Sequence, residues 1–150
     1  LKDKGSSIRG DILVKRVDSP DELKTVFSIR EKVFVEEQEV EPELEYDEYE
    51  DSSRHFIAFF NDTAVGTARW RKIPNGVKLE RFAVLQDYRN NGIGTALVKA
   101  VLQDIPRPNQ LFLHAQLTAR SLYEQNGFEP YGDEFMEAGI RHVAMKRTLK

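Results

Sequence analysis

Cysteine is absent from this sequence. That excludes disulfides, thiolate metal sites and any covalent route through a cysteine nucleophile. Histidine is scarce, and His55, His114 and His142 are scattered along the chain. The acidic residues lack the calcium-loop spacing with its central glycine, so no metal is expected. No run approaches the ~20 apolar residues that cross a bilayer. The polar stretch Leu1 to Gly10 does not read as a signal peptide. A soluble cytoplasmic protein with no membrane partner is the expectation. No basic stripe with interleaved aromatics appears, which disfavours nucleic acid. Nothing marks a nucleophile elbow.

What is present is charge, and it is segregated. The net charge of -3 hides ten acids within residues 36–51, where there is no base. The rest of the chain carries 22 bases against 15 acids, a balance of +7. Such a split suits an anionic ligand at one place and a cationic one at another. The 150 residues fit a single domain, 1–150, with residues 1–10 expected as a flexible N-terminal segment. A chain of this length can bury roughly 68–70% of its unfolded surface without a staple.

Local signals order the chain. Asp11 to Val17 reads as a strand. Ser19 and Pro20 start a helix as N-cap and first helical residue, and Leu23, Val26, Phe27, Arg30 and Phe34 follow at helical spacing. The acidic segment contains Pro42 and no regular apolar period, so it reads as a loop with one short helical turn. His55 to Phe60, Ala64 to Ile73 and Val77 to Leu85 are strands joined by tight turns at Asn61-Asp62-Thr63 and Pro74-Asn75-Gly76. A helix from Gly92 to about Ile105 ends before Pro106 and Pro108. Leu111 to Leu117 is a strand, Thr118 to Asn126 a helix with Thr118 as N-cap, and Phe128 to Tyr131 and Ile140 to Leu149 are the last strands. The order is β-α-β-β-β-α-β-α-β-β. It predicts an α+β fold, a mixed and mostly antiparallel sheet of about six or seven strands flanked by helices.

The turn Tyr88-Arg89-Asn90-Asn91-Gly92-Ile93-Gly94-Thr95 lies between a strand and a helix. Its two glycines let backbone approach a ligand closely, and the helix offers free N–H groups and a positive dipole end to an anion. A Walker loop would need Lys-Ser or Lys-Thr after the last glycine, where Thr95-Ala96 stands. A dinucleotide fingerprint would need a glycine at Leu97 and an early βαβ unit. Neither fits, which leaves an arginine-led Arg-x-x-Gly-x-Gly turn at Arg89 to Gly94.

Together with Leu122-Tyr123-Glu124-x-x-Gly127-Phe128, in that order, this turn resembles the GNAT acyltransferase family, which binds acetyl-coenzyme A. Val33-Phe34-Val35-x-Glu37-Gln38, Leu113-His114-Ala115-Gln116 and Phe135-x-Glu137-x-Gly139-Ile140-x-His142 are similar to its bacterial ElaA/YjcF-type subgroup. The resemblance implies a pyrophosphate held by backbone N–H groups of Arg89, Asn90, Asn91, Gly92, Ile93, Gly94 and Thr95. It implies pantetheine between two splayed strands, against Phe82, Ala83 and Val84 on one side and the end of Leu111 to Gln116 on the other. Gln116 replaces the family's usual asparagine, and Ala119 follows at the cofactor side.

For chemistry, the resemblance implies Tyr123 as the acid for the departing thiolate, the alternative being a core aromatic or a hydroxyl that only orients the sulfur. Glu80 is the candidate base, since an alkyl ammonium with a pKa of roughly 10.4 must lose a proton before it attacks. Burial in a cleft would raise the Glu80 pKa. The alternative is pairing with Arg69, Arg71 or Arg81. His114 and His142 are further titratable candidates. The family places the acceptor against Arg30, Phe34, Glu37, Gln38 and Glu137. A small-molecule or peptide amine is expected there, such as a polyamine, an amino sugar or a lysine side chain. The acidic run either steers that cation or is a solvated loop. Direct acetyl transfer in a ternary complex is the leading expectation, with a non-catalytic acyl-coenzyme A sensor as alternative. Dimerisation through the terminal strands is an analogy from the family.

Overall fold

The computed structural model describes residues 10–150. The expected flexible segment 1–10 therefore lies, apart from Gly10, outside the described residues. Among the described residues seven strands form one mixed sheet: β1 (Ile12–Arg16), β2 (Arg54–Phe60), β3 (Thr63–Ile73), β4 (Gly76–Val84), β5 (Asn109–Gln116), β6 (Glu129–Glu137) and β7 (Ile140–Leu149). Their spatial order is β1-β2-β3-β4-β5-β7-β6. Among the described residues only β4 and β5 run parallel, and α3 (Ile93–Asp104) makes the crossover between them. The α+β architecture and the order of elements agree with the sequence reading. No helix among the described residues is long and apolar enough to cross a membrane.

The local signals act as expected at several points. Ser19 Oγ accepts the Glu22 N–H at 3.1 Å and caps α1 (Pro20–Arg30), with Pro20 in its first turn. Asn61 and Asp62 both take positive φ, 48° and 68°, the geometry of a two-residue hairpin turn that follows the strand twist. In α3, Ile93, Leu97, Val98, Val101 and Leu102 recur on one face and are buried against the sheet. Trp70 of β3 donates its indole N–H to Asp104 Oδ2 at 2.9 Å and ties down the end of α3.

Three features differ from the sequence reading. First, α1 does not stop but widens into a π-helical segment, Glu31–Glu37, closed by Gln38 N–H to the Val33 carbonyl at 3.0 Å. The extra residue per turn re-aims Glu37 and Gln38. Second, Thr118 does not cap the last helix. A 3₁₀ turn, Leu117–Ala119, comes first, and Ala119 precedes α4 (Arg120–Glu124) without a side-chain cap. Third, β6 runs to Glu137 rather than ending near Tyr131. It is a mostly exposed edge strand, so it needs no apolar alternation.

The acidic segment is a structural element. Arg30 and Arg69 are 1% and 0% exposed, and buried guanidinium groups need counter-ions. Three acids of the run supply them. Arg30 is bonded to Glu45, and to both Glu50 oxygens at 2.8 Å. Arg69 donates to Asp47 at 2.7 and 3.0 Å and to Glu50 at 2.8 Å. Arg81 reaches Glu45 and Asp47, each at 3.2 Å. The turn of α2 (Pro42–Glu45) and the residues after it are thus fastened to β3 and β4 by charge. Burial pushes the carboxyls of Asp47, Glu50 and Glu80 up, but the guanidinium groups beside them outweigh it and hold them below their usual range, Asp47 at about 2. Burial wins at Glu45, which is raised despite Arg30.

Carboxyls depressed in the fold stabilise it above their unfolded values of roughly 4 and lose that contribution as pH falls through the folded values. Unfolding midpoints are therefore expected to drop steeply as pH is lowered from about 4 toward 2. Arg69→Met strands three carboxylates and is expected to cost about 3–5 kcal/mol in urea unfolding at neutral pH. It should also flatten the acid dependence. A variant as stable as the parent would show that the network is not what holds the segment.

Candidate active site

The site begins where β4 and β5 part. They pair only through Val77–Leu79 and Leu111–Leu113. Beyond that, β4 continues to Val84 and β5 to Gln116 with no further pairing between them. An irregularity in the β3–β4 register coincides with Arg81, at φ 60°. A bulge of this kind bends a strand and increases its twist. It turns β4 away from β5 and leaves a wedge with unpaired backbone along the inner strand edges.

The turn after β4 sits at the end of that wedge. Gly92 holds φ 83° and caps α3 with no side-chain acceptor. The first helical bond is Ala96 N–H to the Gly92 carbonyl at 3.0 Å, so Ile93, Gly94 and Thr95 keep free N–H groups at the positive end of the helix. Asn90 is also left-handed, at φ 65°. Asn91 donates its side-chain amide to the carbonyls of Tyr88 and Arg89, each at 3.1 Å, and so shapes the turn. A Cβ on Gly94 would stand 3.3 Å from Leu122, so the helix start also packs closely on α4.

A cleft of about 410 Å³ opens on the wedge, within the range of ligand sites. Phe82, Ala119 and Tyr123 line it from the wedge side. Phe34, Gln38 and Val40 line it from the π-helical end, and His114, Gln116, Glu137 and His142 from β5, β6 and β7. Strand alternation explains the assembly. Leu79 and Leu113 face the core, so Lys78, Glu80, His114 and Gln116 project from the opposite face. Tyr123 is 6% exposed and packs edge-on to Phe82, with ring centroids 5.7 Å apart. Burial raises its pKa, and its hydroxyl bonds to no described residue.

Glu80 lies on this wall, but its environment is not the one expected for a base. Arg69 donates to Oε1 at 2.9 Å and Arg71 at 2.8 Å, and Lys78 stands 3.5 Å from Oε2. Burial favours the protonated form, yet these cations prevail and lower the pKa. The expected rise is therefore reversed. Pairing with Arg69 and Arg71 is seen, whereas Arg81 turns to Glu45 and Asp47 instead.

A second group of titratable side chains faces the cleft. His114 Nδ1 is 2.8 Å from Glu137 Oε1, and His142 Nε2 is 3.8 Å from Glu137 Oε2. Phe135 packs edge-on to His114 and stacks on His142, at 5.0 and 5.8 Å between centroids. Glu137 is held below its usual range by the bond from His114, against the effect of burial.

Two expected liners stand elsewhere. Arg30 is sealed inside the acidic network and does not reach the cleft. Glu37 grips Arg89 through both oxygens, at 2.6 and 2.7 Å. Arg89 itself is engaged throughout: its Nε donates to the Val84 carbonyl at 2.9 Å and its backbone N–H to Gln86 at 3.3 Å. It braces the turn rather than offering free donors. Ala83 and Val84 belong to the wedge by their backbone. Gln116 and Gln38 exchange side-chain amide bonds at 2.9 and 3.3 Å, which joins the π-helical end to β5 across the cleft. Glu45, Asp47, Arg71, Lys78 and Arg81 also line the cleft and were missed, because only the fold brings them there.

Comparison with known proteins agrees with this geometry. A family model described as the acetyltransferase (GNAT) domain matches residues 18–149. The uncharacterized N-acetyltransferase YjcF of Bacillus subtilis is 36% identical over 130 residues, covering 85% of this chain and 93% of that protein. The crystal structure of Escherichia coli ElaA is similar at a TM-score of 0.78 and 25% identity, over 93% of this chain and 99% of that one. A GNAT family acetyltransferase from Elizabethkingia anophelis, solved with acetyl-CoA bound, shares the fold at a TM-score of 0.63 and 17% identity, over 92% and 98% of the two chains.

Gly92→Ala tests the turn. An alanine in the left-handed region costs about 1–2 kcal/mol, so the Kd for coenzyme A in calorimetry is expected to rise about tenfold. Unchanged affinity would remove the turn from the binding site.

Proposed function

The chain belongs to the GNAT acetyltransferase family, and from that premise we propose that it transfers an acetyl group from acetyl-coenzyme A to a primary amine by direct attack in a ternary complex. The observation that carries this reading is the continuity of three parts. An uncapped helix start leads into a wedge of unpaired strand backbone, and the wedge opens on a cleft faced by Tyr123 and titratable side chains. The residues present fit the donor. Asn90 to Thr95 would hold its pyrophosphate, the backbone of Phe82, Ala83 and Val84 and the end of β5 its pantetheine arm, with Gln116 and Ala119 beside it. When bound, acetyl-coenzyme A supplies an acyl group activated as a thioester. With no cysteine in the chain, an acetyl-cysteine relay is excluded, which favours direct attack.

Tyr123 acts on the departing sulfur. Its raised pKa keeps the phenol protonated, while a free thiol ionises near 8.5. Full proton transfer from the phenol would run uphill. Tyr123 therefore serves as a hydrogen-bond donor to the charge that develops on sulfur. Glu80, kept ionised by Arg69 and Arg71, is a fixed negative charge on the acceptor side rather than the group that removes the proton.

The acceptor approaches from the side of Phe34, Gln38, Glu137 and His142. Glu45, Asp47, Glu80 and Glu137 line the cleft beside Arg71, Lys78 and Arg81, so its walls are close to balanced. The acids that reach it are already paired. Steering of a cation would fall to the exposed acids of the same segment, Glu36, Glu39, Glu41 and Glu43. Dimerisation is proposed through β6, the exposed edge of the sheet, on family likeness.

Tyr123→Phe is expected to reduce kcat about 10²-fold with little change in coenzyme A affinity. Release of free thiol from acetyl-coenzyme A reads the rate, with spermidine, glucosamine and a lysine peptide as acceptors. Unchanged turnover would remove Tyr123 from the chemistry. Acetyl-coenzyme A binding without turnover by the parent protein, across a broad amine panel, would return the sensor reading.

A further inference from the structure

We infer that the imidazole of His114 removes the proton from the acceptor amine, with Glu137 as its positioning residue. The inference rests on the acyl-transfer reading above and assigns the base that reading leaves open.

The geometry fixes the tautomer. Glu137 is ionised and can only accept, so His114 Nδ1 carries the hydrogen and donates it at 2.8 Å. In the neutral ring the lone pair then sits on Nε2. That nitrogen meets no protein partner among the described residues, and the ring lines the cleft with Tyr123 and Glu80. A carboxylate behind one imidazole nitrogen and an open lone pair on the other is the arrangement of a general base. Phe135, 5.0 Å away and edge-on, restricts the ring.

Glu80 is the weaker candidate on the same wall. Arg69 and Arg71 converge on its Oε1, so a proton arriving there competes with two guanidinium groups. His142 is tied differently. Its Nδ1–H donates to the Ile140 carbonyl at 2.7 Å, its Nε2 faces Glu137, and it is buried. The charged and titratable groups around His114 are Lys78 and Glu80 on β4, Glu137 on β6 and His142 on β7. Glu45 and Asp47 lie farther along the cleft, beside Arg81.

The acceptor arrives as an ammonium. One proton passes to His114 Nε2 and on to solvent. The amine nitrogen bonds the acyl carbon as the carbon–sulfur bond of the donor breaks. The second nitrogen-bound proton leaves for the sulfur, directly or through the same imidazole. The products are an amide, a free thiol and one released proton, so atoms and charge balance.

The test compares parent, His114→Gln and Glu137→Gln in the thiol-release assay, with the best of the three acceptors, from about pH 5.5 to 9.5. Glutamine at 114 can keep a bond to Glu137 but cannot take a proton. His114→Gln is expected to lower kcat/KM about 10²-fold at neutral pH and to abolish the lower ionisation in the pH–rate profile. Coenzyme A affinity should be unchanged. Glu137→Gln should keep that ionisation and lower kcat/KM by less than His114→Gln does. A purely structural His114 would alter stability or KM and leave the profile in place, and that result overturns the assignment. If the parent binds acetyl-coenzyme A and turns over no amine, the acyl-transfer reading itself fails and the assignment falls with it.

Discussion

β4 and β5 run side by side for three residue pairs and then separate, and every functional feature depends on that separation. Two neighbouring strands that part leave backbone donors and acceptors without partners, a costly arrangement unless water or a ligand satisfies them. The parting is built into the strand. Arg81 sits in the left-handed region at an irregularity of the β3–β4 ladder, and a non-glycine residue there is strained. Its guanidinium group is bonded to Glu45 and Asp47, which holds the irregular conformation in place.

That bond connects the wedge to the buried charge network. Arg30, Arg69 and Arg81 draw the acidic segment onto β3 and β4, and the segment becomes one wall of the cleft. The same guanidinium groups fix Glu80 as an anion, and the base proposed above stands on the next strand of the same wall. There the imidazole of His114 is backed by Glu137 and little else. In the proposed reading the buried charge network fixes charge and shape, and the His114–Glu137 pair exchanges protons. The π-helical end of α1 joins them to the donor side, since Glu37 grips Arg89 and Gln38 grips Gln116.

Much of the fold was legible because its signals are local. Ser19-Pro20, Asn61-Asp62 and Asn75-Gly76 mark boundaries by backbone preference alone, and the structure places its turns and caps there. The turn 89–94 was legible for the same reason, since two glycines and a following apolar helix state its geometry. The parts that were not legible depend on distant residues. A π-helical widening has no signature in the run Glu31–Glu37. The acidic run looked like a solvated loop or a steering field because its partners Arg30, Arg69 and Arg81 are up to tens of residues away. Four of its acids, Glu37, Glu45, Asp47 and Glu50, are counter-ions and the others are exposed, so each of those readings was incomplete. The reversal at Glu80 has the same origin: burial was foreseeable, but convergence of Arg69 and Arg71 on one oxygen was not. His114 and Glu137 were singled out separately, and only the pairing of β5 with β7 and β7 with β6 brings them together.

Amide hydrogen exchange, with and without acetyl-coenzyme A, reads the backbone groups that the separation leaves unpaired. Ligand-induced protection is expected in two stretches, Phe82 to Val84 on β4 and Asn90 to Thr95 at the start of α3, besides the end of β5, with the core of β2 and β3 unchanged. Protection absent from both stretches while the ligand is bound would contradict the dependence of binding on that separation.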